Sequence, residues 1–202
     1  MNSLAEDLVL VAIDPRTGVL RCRNHIGYGL MGAELIMLAA AGRIVVTDGR
    51  VRAVEPVART TGDQNLDATL SRIAASRRDL KPQGWAGKPA RHLASSYLDR
   101  LIAAGSIQRQ GGVLRRRWPV TDVSKAASAR NRLDEIAHGT GPVDEEQASF
   151  AGLADAIGLT AMFYRGRDNR PVRQRLREIT RSHWATEAVR RAVAAADAAS
   201  AG

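Results

Sequence analysis

Residues Gly27-Tyr-Gly-Leu-Met-Gly32, GYGLMG, decide how the chain is read. They match G-x-G-x-x-G, the turn that seats a dinucleotide pyrophosphate between a strand and a helix. That reading needs a buried parallel strand before the glycines and a second one after the helix, ending in an acid for the ribose. Asp48 lies about 20 residues on, as the fingerprint asks. But Asp48 is followed by Gly49, and Asp-Gly between Ile44-Val-Val-Thr47 and Val51-Arg-Ala-Val54 signals an antiparallel hairpin with a type I′ turn. The preceding VLRCRN alternates with arginine, unlike a strand buried on both faces. The glycines are therefore read as small residues that let the chain turn into a closely packed helix from about Leu30 to Ala41, apolar all round and hence buried.

Outward from this helix, the pattern repeats. Leu98 to Ala104 reads as helix, Gly105 stops it, Ser106 to Gln110 extends, Gly111-Gly112 turns and Val113 to Val120 returns. The offset from stop glycine to turn matches that from Gly42 to Asp48. Upstream, Ser3-x-x-Glu6 is a capping box for a helix carrying Leu4, Leu8 and Val11. Asp14-Pro-Arg-Thr-Gly18 turns the chain, and Val19 to Arg23 is extended. Thr60 to Asp63 starts a helix to about Ser76 with Leu66, Leu70 and Ile73 apolar. A Pro/Gly-rich loop with Trp85 runs from Lys81 to Pro89, and the next helix starts near Pro89. Further helices are expected at about 122–138, 144–158, 170–181 and 183–198, with the final AAADAASAG frayed. The expected fold is mainly α, over residues 1–202 as one domain: a helical bundle surrounded by amphipathic helices, with two β-hairpins each following a helix.

The 202 residues carry a formal net charge of +9, nearly all from arginine; Lys81, Lys88 and Lys125 are the lysines. Such a surface concentrates polyanions, either nucleic acid or anionic lipid headgroups. Cys22 is the sole cysteine, which excludes internal disulfides, and it reads as a small buried residue. No apolar run approaches the roughly 20 residues that span a bilayer. Two acids precede the N-terminal apolar run where a signal peptide has positive charge, so a cytoplasmic protein is expected. His25, His92, His138 and His183 lack metal-ligand spacing, and no nucleophile elbow or phosphate loop is present. Neither a catalytic centre, a metal nor a cofactor is expected.

Tyr28-Gly-Leu-Met-Gly-Ala-Glu-Leu-Ile-Met-Leu-Ala-Ala-Ala-Gly-Arg-Ile44 resembles the core signature of the Golgi phosphoprotein 3 family. So do Leu4-Ala-Glu-Asp-Leu8, Thr61-Gly-Asp-Gln-Asn-Leu-Asp67, Leu98-Asp-Arg-Leu-Ile-Ala-Ala-Gly-Ser-Ile107 and Arg117-Trp-Pro-Val120. A start at the first helix resembles the bacterial branch. The resemblance implies a mainly helical, non-catalytic peripheral membrane protein. Its eukaryotic members bind phosphatidylinositol 4-phosphate and hold membrane enzymes by their cytosolic tails. The family's headgroup pocket falls on Cys22, Met31, Arg91 and Ala94, of which Arg91 alone keeps the family residue. With Arg21, Arg23, Lys88 and His92 nearby, the implied site is a shallower patch for anionic phospholipid on the cytosolic membrane face.

Arg115-Arg116-Arg117-Trp118 is either a membrane-contact or homo-oligomer edge, or a core tryptophan with arginines that discourage strand pairing. The arginines from Arg165 to Arg181 form one face of an amphipathic helix. A rival reading stays open: helix–hairpin repeats in a basic chain also describe a winged-helix nucleic-acid binder, with Arg91, His92 and Arg100 on the recognition helix.

Overall fold

The computed structural model describes residues 3–54, 60–112, 115–180 and 183–201. The first helix, α1 (Leu4–Ala12), opens on the expected capping box, with Ser3 and Glu6 bonded reciprocally. The decisive stretch lies inside α2 (Ile26–Ala40), which begins before the glycines rather than after them. No turn is formed there. A Cβ on Gly29 would sit 2.9 Å from Ile157 and 3.0 Å from Leu8, and one on Gly32 would sit 2.5 Å from Val189 and 2.7 Å from Leu153. The glycines let three other helices approach the α2 backbone. Leu30, Met31, Ala33, Leu35 and Leu38 are all fully buried, so α2 is the axle of the bundle.

β1 (Ile44–Thr47) and β2 (Arg50–Ala53) pair antiparallel in the register Val46 to Val51. Asp48 and Gly49 both have positive φ, at 52° and 68°, as a type I′ turn requires. Ile44 and Val51 bury their side chains beneath the hairpin. α3 (Gln64–Ala74) is capped by Asp63 and buries Leu66, Leu70 and Ile73, as its periodicity predicts. The expected loop at 81–89 contains a short helix, α4 (Pro82–Ala86), with Pro82 at its start and Trp85 buried. α5 (Leu93–Ala103) begins later than Pro89, which leaves Arg91 and His92 ahead of it.

The second hairpin is looser than its sequence suggests. Ile107 pairs with Val120 and Gln110 with Arg117, two isolated bridges rather than the continuous ladder of β1 and β2. Pro119 has no N–H to donate, and only its carbonyl joins the pairing, accepting from Gln108 at 2.9 Å. Val113, the expected start of the return strand, lies outside the described residues.

α6 (Val123–His138), α7 (Glu145–Ala156), α9 (Arg170–Thr180) and α10 (Trp184–Ala201) follow, with a short helix, α8 (Leu159–Phe163), after the left-handed Gly158. The described C-terminus stays helical to Ala201 rather than fraying. α1, α7 and α10 pack on α2 at Gly29 and Gly32, and α3, α4 and α5 pack on it as well. One apolar cluster runs from Leu4 in α1 to Val193 in α10.

Candidate functional site

The segment between α3 and α5 is held from both sides. The Val51 N–H donates to the Leu80 carbonyl at 3.0 Å, which pins the segment to β2. The Asp79 carboxylate accepts from Arg52 at 2.7 Å, and its carbonyl accepts from Arg50 at 2.6 Å. On the other side Trp85 is buried, and the Gly87 backbone lies within reach of Ala192 on α10. Arg72 lies over the Trp85 ring at 6.0 Å and donates to the Lys88 carbonyl at 2.7 Å. This packing fixes the backbone and leaves five cations outside. Arg77, Arg78, Lys81, Lys88 and Arg91 are exposed, and none has an ion pair among the described residues.

Lys81 and Lys88 line a shallow cleft of about 540 Å³ between α4 and α10. Its floor is Tyr28, Ala192, Ala195 and Ala196, and no carboxylate lines it. A Cβ on Gly27 would touch the Pro89 ring at 3.5 Å, so the start of α2 abuts the same segment. Beside it, His25 donates to Asp197 of α10 at 2.7 Å.

The residues expected to form the headgroup site divide. Lys88, Arg91 and His92 are exposed on this segment, and Arg23 is exposed just before α2. Arg21 is tied through Nη2 to Asp14 and turned away from this segment, and that hydrogen bond holds the Asp14 carboxyl at about 2. Cys22 is half-buried rather than a core residue. It takes a left-handed φ of 50° at the turn before α2, its Sγ lies 3.5 Å from Met162 Sδ, and burial raises its thiol pKa. Met31 is fully buried in the axle helix, and Ala94 is half-buried. Arg77, Arg78 and Lys81 were missed by the sequence reading. Their signal is the run RRDLK, in which the one acid is tied to Arg52.

The other arginine groups are placed differently. Trp118 is buried, and its N–H donates to the Gly18 carbonyl at 2.6 Å, so it clamps the 14–18 turn instead of meeting a membrane. Arg115, Arg116 and Arg117 remain exposed. On α9, Arg175 donates to Ile136 at 3.1 Å and Gly141 at 2.7 Å, which satisfies carbonyls at the C-terminal end of α6. Arg173 binds the Tyr164 and Gly166 carbonyls. Arg165, Arg167, Arg170 and Arg177 are exposed, and Arg181 lies outside the described residues. Arg100, needed by a recognition helix, is paired with Glu6 at 3.0 Å and Asp63 at 2.6 Å.

Two buried polar groups bear on chemistry. Glu34 of α2 is fully buried; Thr69 donates to it at 2.6 Å and Tyr97 at 3.1 Å. Burial outweighs those bonds and pushes its carboxyl up to about 7. His183 Nε2 lies 2.9 Å from the Ser149 hydroxyl, with Glu145 3.9 Å from the same nitrogen. A nucleophile–base–acid relay needs the acid on the opposite ring nitrogen, and Ser149 is fully buried, so the trio does not form one. Among the described residues no cluster of His, Cys, Asp or Glu could hold a metal ion.

The model of the Golgi phosphoprotein 3 (GPP34) family matches residues 4–196. The chain belongs to the Golgi phosphoprotein 3 family. No curated protein matches it. Of the four positions on which the resemblance places the headgroup pocket, Met31 is fully buried, Cys22 and Ala94 are half-buried, and Arg91 is exposed on the 77–91 segment.

Proposed function

We propose that this Golgi phosphoprotein 3 family protein is a peripheral membrane-binding module. It attaches to anionic phospholipid at the cytosolic membrane face through residues 77–91 and holds the cytosolic tail of a membrane-protein client. The observation that carries the lipid contact is the set of five exposed cations without ion pairs on one braced segment, beside a cleft that no carboxylate lines. Each base near an anionic surface contributes about 1 kcal/mol, so five acting together give about 5 kcal/mol of reversible attraction. Among the described residues no helix is long and apolar enough to cross a membrane, which agrees with attachment from outside the bilayer. The client rests on the family likeness.

The site is suited to phosphodiester headgroups in general. Lysine ammoniums are mobile point charges, and no arginine fork converges on the cleft to grip a phosphomonoester in two places. Phosphatidylglycerol vesicles are therefore bound about as well as vesicles of equal charge density that contain phosphatidylinositol 4-phosphate.

Sedimentation with neutral vesicles, anionic vesicles and duplex DNA at physiological salt tests this reading. The protein pellets with the anionic vesicles alone and is released as salt shortens the Debye length below about 8 Å. Tight DNA binding with no vesicle binding overturns it in favour of a nucleic-acid binder. That alternative is disfavoured because Arg100 is locked to Glu6 and Asp63.

A further inference from the structure

A second cavity, of about 450 Å³, lies between the C-terminal end of α1, the first half of α6 and Phe163 of α8. Its volume is within the range of about 300–1,000 Å³ usual for small-molecule sites. Leu10, Val11, Ile13, Val120 and Val123 supply apolar walls, while Ala126 and Ala127 leave the α6 wall unfilled. Val123, at the rim, is 70% exposed, the most exposed large apolar side chain described.

The polar lining residues are Arg21, Arg130 and Asn131. Arg130 sits 3.9 Å and Arg21 5.4 Å from the centre of the same Phe163 ring. Both guanidiniums line the cavity, and no carboxylate does. Each is held from behind, Arg21 by Asp14 and Arg130 by Asp134 at 2.9 and 3.1 Å. These bonds use Nη2 of Arg21, and Nε and Nη2 of Arg130. Among the described residues the Nη1 groups of both have no hydrogen-bond partner. Two arginines, each tied to one carboxylate through Nη2 and each with a spare Nη1 for a second, much as Arg100 bridges Glu6 and Asp63, sit beside an aromatic ring and face a trough whose own lining includes no carboxylate.

We propose that this cavity binds a single-chain amphiphile with a carboxylate head, a free fatty acid. Its alkyl chain lies along Leu10, Val11, Val120 and Ala127, and its carboxylate accepts from the Arg21 and Arg130 Nη1 groups. A planar carboxylate matches the guanidinium fork. A cavity of about 450 Å³ is too small for the two chains of a diacyl lipid. The cavity lining shares no residue with the cleft lined by Lys81 and Lys88, so vesicle attachment and fatty-acid binding fail independently.

Isothermal titration of the full chain with decanoate below its micelle concentration, and with 1-decanol, tests the proposal. Decanoate binds saturably, and decanol binds at least about tenfold more weakly because a neutral hydroxyl gives the two cationic donors one weak acceptor in place of two charged oxygens. Ala127→Trp, on an exposed helix position, fills the trough and weakens decanoate at least about tenfold. Arg130→Gln weakens decanoate while leaving decanol unchanged. Absence of saturable decanoate binding, equal affinity for decanol, or full affinity in Ala127→Trp each overturns the proposal. Binding of a Leu-Leu-COOH peptide without binding of decanoate also overturns it, giving the cavity to a protein C-terminus.

Discussion

Residues 77–91 and residues 165–177 look alike in sequence: both are short, basic and broken by proline or glycine. In the fold they are used differently. In the second region, Arg175 turns inward and staples α9 to the end of α6, Arg173 ties α9 to the carbonyls of the α8–α9 connection, and Arg165, Arg167, Arg170 and Arg177 stay exposed. In the first, the inward bonds come from backbone and from neighbouring arginines, Arg50, Arg52 and Arg72, so the segment's own cations stay outside. The difference teaches that charge density along a chain is not charge presented to a partner. What matters is which acids and carbonyls the fold brings to each guanidinium.

Several substitutions can break or sharpen this contrast. The largest expected effect concerns a charge that the fold buries. Glu34 has a native pKa of about 7 against about 4.3 in an unfolded chain. Between those values the native state binds the extra proton, so stability falls as pH rises from 4 to 7 and stays at the lower level above. The full change is about 4 kcal/mol from this group. Glu34→Gln should flatten that part of a urea-denaturation profile measured from pH 4 to 8. A profile that keeps its slope would place the titration elsewhere. His183 acts in the opposite sense: burial lowers its pKa, so its contribution is lost as pH falls below the unfolded value near 6.5.

Next is a substitution that harms the bundle without touching charge. Gly32→Ala pushes a methyl into Val189 and Leu153 and should cost about 1–3 kcal/mol, read as a lower urea midpoint. Vesicle binding per folded molecule should be unchanged. Arg175→Ala strips the α6 terminus of its donor and should cost about 1–2 kcal/mol, again with vesicle binding intact. Loss of vesicle binding without loss of stability in Arg175→Ala would erase the distinction between the two regions.

Much of the fold is legible in the sequence where the signal is local. The Ser3–Glu6 capping box, the Asp48-Gly49 turn and the Leu66, Leu70, Ile73 stripe each depend on residues a few positions apart, and each is formed. The GYGLMG stretch misleads because its glycines answer to Leu8, Leu153, Ile157 and Val189, which lie far away in the chain. The site was legible in part for the same reason. Lys88, Arg91 and Arg23 are exposed as expected, but nothing near Arg21 or Arg100 in a helical pattern announces that Asp14, Glu6 and Asp63 neutralise them. Arg77 and Lys81 gain their meaning from Asp79 being occupied by Arg52, a contact made from β2 to a segment 27 residues further on.

The most direct test sets the two basic regions against each other at equal loss of charge. One variant carries Lys81→Ala, Lys88→Ala and Arg91→Ala; the other carries Arg165→Ala, Arg167→Ala and Arg170→Ala. Partitioning onto anionic vesicles should fall about hundredfold in the first, from about 1 kcal/mol per base, and less than about threefold in the second, whose exposed arginines belong to the α9 end packed on α6 and α7 and not to the segment packed on α2 and α10. Equal losses in both would mean that net charge, rather than the braced 77–91 segment, carries the attachment.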